Sequence, residues 1–334
     1  MRVESTVTTM SWIPSDIIHG MVKAGMTLGV THVDEPPPDR IAPGDVGRLS
    51  DADRFRWGNV LTGWAEVEGG RVARAGYGTR SGLVIGVTRV RLGPVSLSLR
   101  AGRLPTLQHD PVLGDDGSAR LVQTVGGRTG APFPRPVPHR PFAQWLAPTV
   151  WTTLALTLRP DGTSEVELVG ASPFPRHWVY DGSGRLVAKS GVTDQDGWIR
   201  HAFGERTPWG DQDSPAVVAE ASSDLERQLS DDIMGGARPE VRRLAVGDEL
   251  TRQGDPGDEL YLVLDGMLDV DVDGRVVAQV GPGAVLGERS LLEGGRRTAS
   301  LRAATKVAVA VAPRASVDLD HLRQLAADHR REDA

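Results

Sequence analysis

Large aromatic residues are confined to one part of this chain, and this limits how it can fold. All eight tryptophans and all five phenylalanines precede residue 210, and Tyr261 is the only large aromatic residue beyond Gly236. A change of composition this sharp predicts a domain boundary between about 205 and 240. The length of 334 residues agrees with two domains, because one domain typically has roughly 150 residues.

The boundary region has the pattern of an amphipathic helix. Ser214 fits an N-cap and Pro215 fits the first helical turn. Apolar residues then recur at helical spacing until two glycines end the pattern: Val218, Ala221, Leu225, Leu229 and Ile233. The sequence therefore predicts a β-rich domain over 1–213, a connecting helix over 214–236 and a second domain over 237–334 that ends in a short helix.

The N-terminal domain has patterns typical of strands. Apolar residues alternate strictly with serines over 95–99. Hairpins are predicted over 151–169 and over 177–188, where turn residues separate β-branched and aromatic runs. Helical patterns are fewer, at 15–24 and 196–203. These observations predict a mainly β fold with added helices, in which the N-terminal domain is a barrel- or sandwich-like α+β domain.

Charge and cysteine content exclude several classes of function. The net charge of −6 is divided evenly, about −3 on each side of Gly235, which argues against a broad nucleic-acid footprint. The absence of cysteine excludes disulfides, thiol nucleophiles and cysteine-ligated zinc. No apolar run reaches the ~18 to 20 residues of a membrane span, and the first residues lack the apolar stretch of a signal peptide. We expect a cytoplasmic protein that binds neither DNA nor a membrane.

One stretch, from Val285 to Leu301, has the residues of an anion site. Gly287 lets the backbone approach a ligand closely, and the short helix predicted after it offers free N–H groups at its first turn. Arg297 on the next strand can hold two phosphate oxygens with its planar fork. Glu288 does not suit a phosphate, but a carboxylate accepts a hydrogen bond from a sugar hydroxyl. Phosphate, ribose and an apolar pocket together indicate a nucleotide.

This stretch resembles the phosphate-binding cassette of cyclic nucleotide-binding domains, whose pattern is roughly Phe-Gly-Glu-Leu-Ala, a spacer and Arg-Ala-Ala-Thr-Val. Gly287-Glu288 matches the first part, and Arg297 to Leu301 matches the second. The resemblance covers about 238–313 and includes the turns around Gly254 and Gly283. It departs from the pattern where Leu286 replaces phenylalanine and where Arg289 replaces an apolar residue.

The resemblance implies a β-roll flanked by helices, with cAMP or cGMP as a regulatory ligand and no cofactor. It implies Glu288 on the ribose 2′-hydroxyl, Arg297 on the cyclic phosphate and a backbone N–H near Ser290 beside it. Thr298 resembles the position where cyclic-GMP-binding members contact the guanine amino group, although cAMP is the expected ligand. The expected binding residues are Gly287, Glu288, Ser290, Arg297, Thr298, Ala299, Val270, Val272 and Leu286.

Residues 1–213 contain no catalytic motif or metal-ligand spacing that we identify. Carboxylates that share a strand face, such as Glu66 and Glu68, are interpreted as a solvated surface, and His177 and His201 as packed or surface histidines. Only 21 residues follow Pro313, which is too few for a helix-turn-helix module.

Three hypotheses for the function follow. The first is a cyclic-nucleotide receptor whose C-terminal domain regulates the N-terminal domain, which would contact a protein partner or a second copy of the chain. The second is an enzyme in residues 1–213 under cyclic-nucleotide control. The third is a structural or interaction protein with a β-roll that binds no nucleotide.

Overall fold

The computed structural model divides the chain into two compact units, 1–216 and 217–334. The residues that it describes are 1–14, 18, 23, 34–42, 44–52, 54–92, 95–129, 133–136, 140, 143–201, 207–209, 218–220, 233–234, 239–292, 295–314 and 322–323. Among them, no helix is both long enough and apolar enough to cross a bilayer.

The first unit is built mainly from strands. The helices that can be delimited in its described residues are α1 (Asp45–Asp51) and α2 (Gln195–His201). Its strands are β1 (Arg2–Trp12), β2 (Trp57–Glu68), β3 (Arg71–Tyr77), β4 (Gly82–Ile85), β5 (Val87–Leu92), β6 (Val95–Arg100), β7 (Gly102–Arg103), β8 (Leu107–Gln108), β9 (Val112–Leu113), β10 (Ala119–Arg128), β11 (Phe133–Pro136), β12 (Ala143–Leu146), β13 (Thr149–Leu158), β14 (Ser164–Ala171), β15 (Arg176–Tyr180) and β16 (Leu186–Ser190).

Two antiparallel sheets of this unit pack face to face. One has the order β16-β15-β1-β2-β3, with β4 also on β2, and the other has the order β14-β13-β10-β7, with β8 and β9 also on β10. Val7 and Leu61 of the first sheet share a fully buried core with Leu121 and Leu156 of the second. Because the described strands of the two sheets do not close into a barrel, the unit is a β-sandwich.

Two predicted hairpins and one predicted helix of this unit are confirmed by the structure. β13 with β14 and β15 with β16 form the two predicted antiparallel hairpins. Helix α2 confirms the helix predicted over 196–203 as far as His201, and residues 202 and 203 lie outside the described residues. Of the helix predicted over 15–24, only Ile18 and Lys23 are described, and Lys23 is helical whereas Ile18 is not.

The predicted connecting helix over 214–236 is wrong at residues 218–220. Residues Val218–Glu220 form a short strand, β17. Two consecutive valines, Val217 and Val218, explain the difference, because β-branched side chains are restricted in a helix and favour an extended backbone. Ile233 and Met234 are helical, and the rest of the predicted helix lies outside the described residues.

The second unit contains two four-stranded sheets. Its strands beyond β17 are β18 (Glu240–Leu244), β19 (Glu249–Thr251), β20 (Glu259–Asp265), β21 (Leu268–Val272), β22 (Arg275–Val280), β23 (Val285–Leu286), β24 (Ser300–Ala303) and β25 (Val307–Pro313). The sheet orders are β18-β25-β20-β23 and β19-β24-β21-β22. Helix α3 (Glu288–Leu292) follows β23 directly.

Strand β20 supplies side chains to two apolar clusters because successive residues of a strand face opposite sides. Tyr261 and Val263 lie in a cluster with Leu301 and Val309, which fills the space between the sheets. Leu260 and Leu262 lie in a second cluster, on the other side of the strand. That second cluster also contains Leu291 of α3 and the helical residues Ile233 and Leu322. The unit is therefore a β-roll with helical segments packed outside it.

Candidate functional site

A cavity of about 320 Å³ opens beside helix α3 in the second unit. The structure brings all nine residues of the predicted site together in its wall: Val270, Val272, Leu286, Gly287, Glu288, Ser290, Arg297, Thr298 and Ala299. Valines and leucines make up most of the apolar part of its wall, and its polar side chains come from Thr251, from α3 and from the segment that starts at Arg297. An apolar pocket with a few convergent polar groups is typical of a small-molecule site.

Sequence reasoning missed other residues of the wall, among them Thr251, Ala278, Val280 and Leu301. Ala278 lies directly opposite Val270 in the ladder between β21 and β22. The hairpin between these strands turns at Asp273-Gly274, a dipeptide that favours tight hairpins. Regular pairing around that dipeptide would place Val277 opposite Val270, and an irregularity between Val270 and Asp271 brings Ala278 there instead, so the sequence alone could not identify Ala278.

The turn from β23 into α3 requires the glycine at position 287. Its φ is 91°, a left-handed conformation that side chains strain. A Cβ added there would lie 2.6 Å from Nη1 of Arg297 and 2.9 Å from the carbonyl oxygen of Glu259. The absence of a side chain at Gly287 thus leaves room for the guanidinium of Arg297 beneath the turn.

Helix α3 presents two buried polar side chains. Glu288 is 6 % exposed and Ser290 is 1 % exposed. The hydroxyl of Ser290 donates to the carbonyl oxygen of Gly287 at 2.8 Å. Arg289 does not interrupt the helix although it replaces the family's apolar residue, and its Nε lies 4.0 Å from Oε1 of Glu288.

Arg297 is 7 % exposed, and neutral oxygens hold its guanidinium. Nη1 donates to the carbonyl oxygen of Glu259 at 2.9 Å and to Oγ of Ser290 at 3.1 Å. Nη2 donates to the hydroxyl of Tyr261 at 3.2 Å. Since a guanidinium has five N–H groups, one on Nε and one on Nη2 remain for another acceptor. Within the described ranges, no carboxylate forms an ion pair with Arg297.

Gly257 lies directly against the same guanidinium. A Cβ added at this residue would lie 2.0 Å from Nε and 2.3 Å from Cζ of Arg297. The backbone N–H of Gly257 also donates to the carbonyl oxygen of Gly295 at 2.9 Å, which ties the turn before β20 to the turn before Arg297. The glycine therefore sets where the end of the arginine can lie.

The other polar candidates do not assemble into a site. Glu66 lies 3.5 Å from Arg74, and Glu167 lies 2.8 Å from Arg120, both as surface ion pairs. His177 is fully buried, this burial lowers its pKa to about 4, and both ring nitrogens are hydrogen-bonded, to Ser11 and to the backbone of Ser172, so it is a packed neutral histidine near neutral pH. In the described part of the chain, no group of three or more acidic or histidine side chains could hold a metal.

Comparison with known proteins agrees with the site's location. The family model of the cyclic nucleotide-binding domain matches residues 241–322. These residues form a cyclic nucleotide-binding domain. No family model matches the residues before them.

Relatives of this cyclic nucleotide-binding domain include the cGMP-dependent protein kinase egl-4 of Caenorhabditis elegans, which is 37 % identical over 65 residues. The cAMP-dependent protein kinase regulatory subunit of Eremothecium gossypii is 39 % identical over 66 residues. Each match covers 20 % of this chain, but only 8 % and 14 % of the two relatives. A crystal structure of a cyclic nucleotide-binding domain from Methylobacillus flagellatus is 34 % identical, covers 27 % of this chain and 51 % of its own, and has a TM-score of 0.22.

Proposed function

We propose that the cyclic nucleotide-binding domain of this chain binds cAMP or cGMP as a regulatory ligand. The observation that supports this most strongly is Arg297, a cation buried in the cavity wall that pairs with no carboxylate of the described residues. A buried charge without an opposite charge is costly. An anionic ligand in the cavity offsets that cost, and the two remaining N–H groups of Arg297 suit the two exocyclic oxygens of a cyclic phosphate.

The other groups of the cavity suit the rest of the ligand. Glu288 accepts a hydrogen bond from the ribose 2′-hydroxyl, a backbone N–H near Ser290 assists at the phosphate, and the base lies along Val270 and Val272. Thr298 is exposed in the cavity wall and offers a hydroxyl to a guanine amino group. The expected ligand is cAMP, and the contact between Thr298 and a guanine amino group would favour cGMP.

Removing the ribose contact tests the role of Glu288. A hydrogen bond to a charged group contributes about 1.5 to 3 kcal/mol, so the wild type should prefer cAMP over 2′-deoxy-cAMP by about tenfold or more. Glu288→Ala should remove most of that preference. Isothermal titration calorimetry of wild type and Glu288→Ala with cAMP and with 2′-deoxy-cAMP gives the four Kd values that are needed. A preference for cAMP that survives in Glu288→Ala would disprove the contact between Glu288 and the 2′-hydroxyl.

We also propose that the nucleotide regulates the N-terminal unit through the segment that joins the two units. Ile233 supports this, because it comes from that segment and is buried in the same apolar cluster as Leu291 of α3. A displacement of α3 by the ligand would therefore alter the packing of Ile233. The N-terminal unit would then contact a protein partner or a second copy of the chain.

Hydrogen exchange tests the proposed coupling. We expect saturating cAMP to change exchange in the cavity wall, in the segment around Ile233 and on the N-terminal unit, because a ligand with different affinity for two states shifts their populations. The Arg297→Ala variant with cAMP is the control. If the changes in wild type stay within residues 239–314, the domain binds independently and the regulatory proposal fails.

A further inference from the structure

The hydroxyl of Tyr261 lies between the site arginine and an acidic side chain. It accepts a hydrogen bond from Nη2 of Arg297 at 3.2 Å and donates one to Oε2 of Glu259 at 2.8 Å. The guanidinium carbon of Arg297 lies 5.1 Å from the centre of the tyrosine ring. Tyr261 is 2 % exposed, so its ring is fixed inside the roll.

The groups at the two ends determine the direction of both hydrogen bonds. Arginine can only donate and an ionised glutamate can only accept, so the single hydroxyl hydrogen points to Glu259 and a lone pair points to Arg297. Burial, together with the hydrogen bond to Glu259, raises the pKa of the Tyr261 phenol, which keeps the hydroxyl protonated near neutral pH. Arg242 lies 3.6 Å from the same Oε2 of Glu259 and forms an ion pair with it.

We propose that Tyr261 is a positioning residue for the phosphate site and that Glu259 and Arg242 orient its hydroxyl. This inference rests on the proposed function. The tyrosine holds Nη2 of Arg297, so that the remaining N–H groups already face the cavity before a ligand arrives. The nucleotide then does not have to immobilise a long side chain, a cost that otherwise weakens binding.

The test is Tyr261→Phe, which keeps the ring and removes only the hydroxyl. We expect a three- to tenfold rise in the Kd for cAMP, about the cost of ordering one side chain. The second readout uses the two diastereomers of cyclic AMP phosphorothioate, in which sulfur replaces one exocyclic oxygen or the other. Wild type should distinguish them, and the ratio of their Kd values should move toward one in Tyr261→Phe, because a loose arginine contacts either oxygen.

Two further variants control the experiment. Thr305→Val removes a hydroxyl that contacts the backbone N–H of Met267, away from Arg297, and should leave both readouts unchanged. Glu259→Ala removes a half-buried side chain. It should raise the Kd for cAMP by about twofold and move the diastereomer ratio toward one, as Tyr261→Phe does. This variant tests the proposal if Tyr261→Phe does not fold.

The outcomes separate this inference from the proposed function. Wild type that binds no cyclic nucleotide overturns both. If wild type binds and both Tyr261→Phe and Glu259→Ala keep its affinity and its diastereomer ratio, the proposed role of Tyr261 is wrong. Nucleotide binding then remains in place.

Discussion

The Arg297→Ala variant should lose cyclic-nucleotide binding almost completely. Losing a charge-assisted contact to phosphate in a largely buried pocket costs about 2 to 5 kcal/mol, which raises the Kd at least thirtyfold. The variant should remain folded, because the side chain removed is itself a buried charge without a carboxylate partner among the described residues. Titration calorimetry with cAMP measures the Kd.

A matched variant shows that the effect belongs to the site. Arg302→Ala removes an exposed arginine of β24 that pairs with Glu249 at 3.4 Å, outside the cavity wall. Its Kd should equal that of wild type. Thermal unfolding gives a second readout, because a ligand that binds only the folded state raises Tm. Cyclic AMP should raise Tm of wild type and Arg302→Ala but not of Arg297→Ala, and an equal rise in all three contradicts the assignment.

The Gly257→Ala variant should also weaken binding strongly, although its methyl group does not enter the cavity wall. The added Cβ would lie 2.0 Å from Nε of Arg297, so the guanidinium must move. Displacement loses at least one charge-assisted hydrogen bond to phosphate, about 1.5 to 3 kcal/mol, or tenfold to a hundredfold in Kd. Tm should change little, because Gly257 has no left-handed φ and the displaced group is the end of a flexible side chain.

A double-mutant cycle tests whether Gly257 acts through Arg297. In the Arg297→Ala background, Gly257→Ala should cause no further loss of affinity, because no guanidinium remains to be displaced. Additive losses would show that the methyl group acts by another route, such as a shift of the turn before β20. An unchanged Kd in the single variant would show that the arginine accommodates the methyl group without cost.

The local part of the site could be predicted from the sequence. Gly287, Glu288 and Arg297 lie within eleven positions of one another, and each residue type suits one chemical task. The contacts that hold the arginine could not be predicted in this way. Tyr261 meets Arg297 across 36 positions, through a strand whose inward face is known only once the sheets have formed. Gly257 belongs to a recognisable turn, but its distance to a guanidinium depends on the packing of two separate turns.

The same distinction explains the results for the fold. The hairpins β13–β14 and β15–β16 follow from adjacent strands and local turns. The sheet orders do not, since β1 pairs with β2 and with β15, and the second partner lies more than 160 residues away. At residues 218–220, the helical spacing of apolar residues predicted the wrong structure because it ignored the extended preference of consecutive valines.

Calorimetric titration of the wild-type chain with cAMP and cGMP is the most direct test of the central claim. We predict saturable binding of at least one of them at one site per chain, and much weaker binding of 5′-AMP, because its phosphate is not closed into a ring with the ribose. The Arg297→Ala variant should show no heat of binding under the same conditions. Absence of binding by both cyclic nucleotides to folded wild-type protein would contradict the claim and leave a β-roll with a structural role.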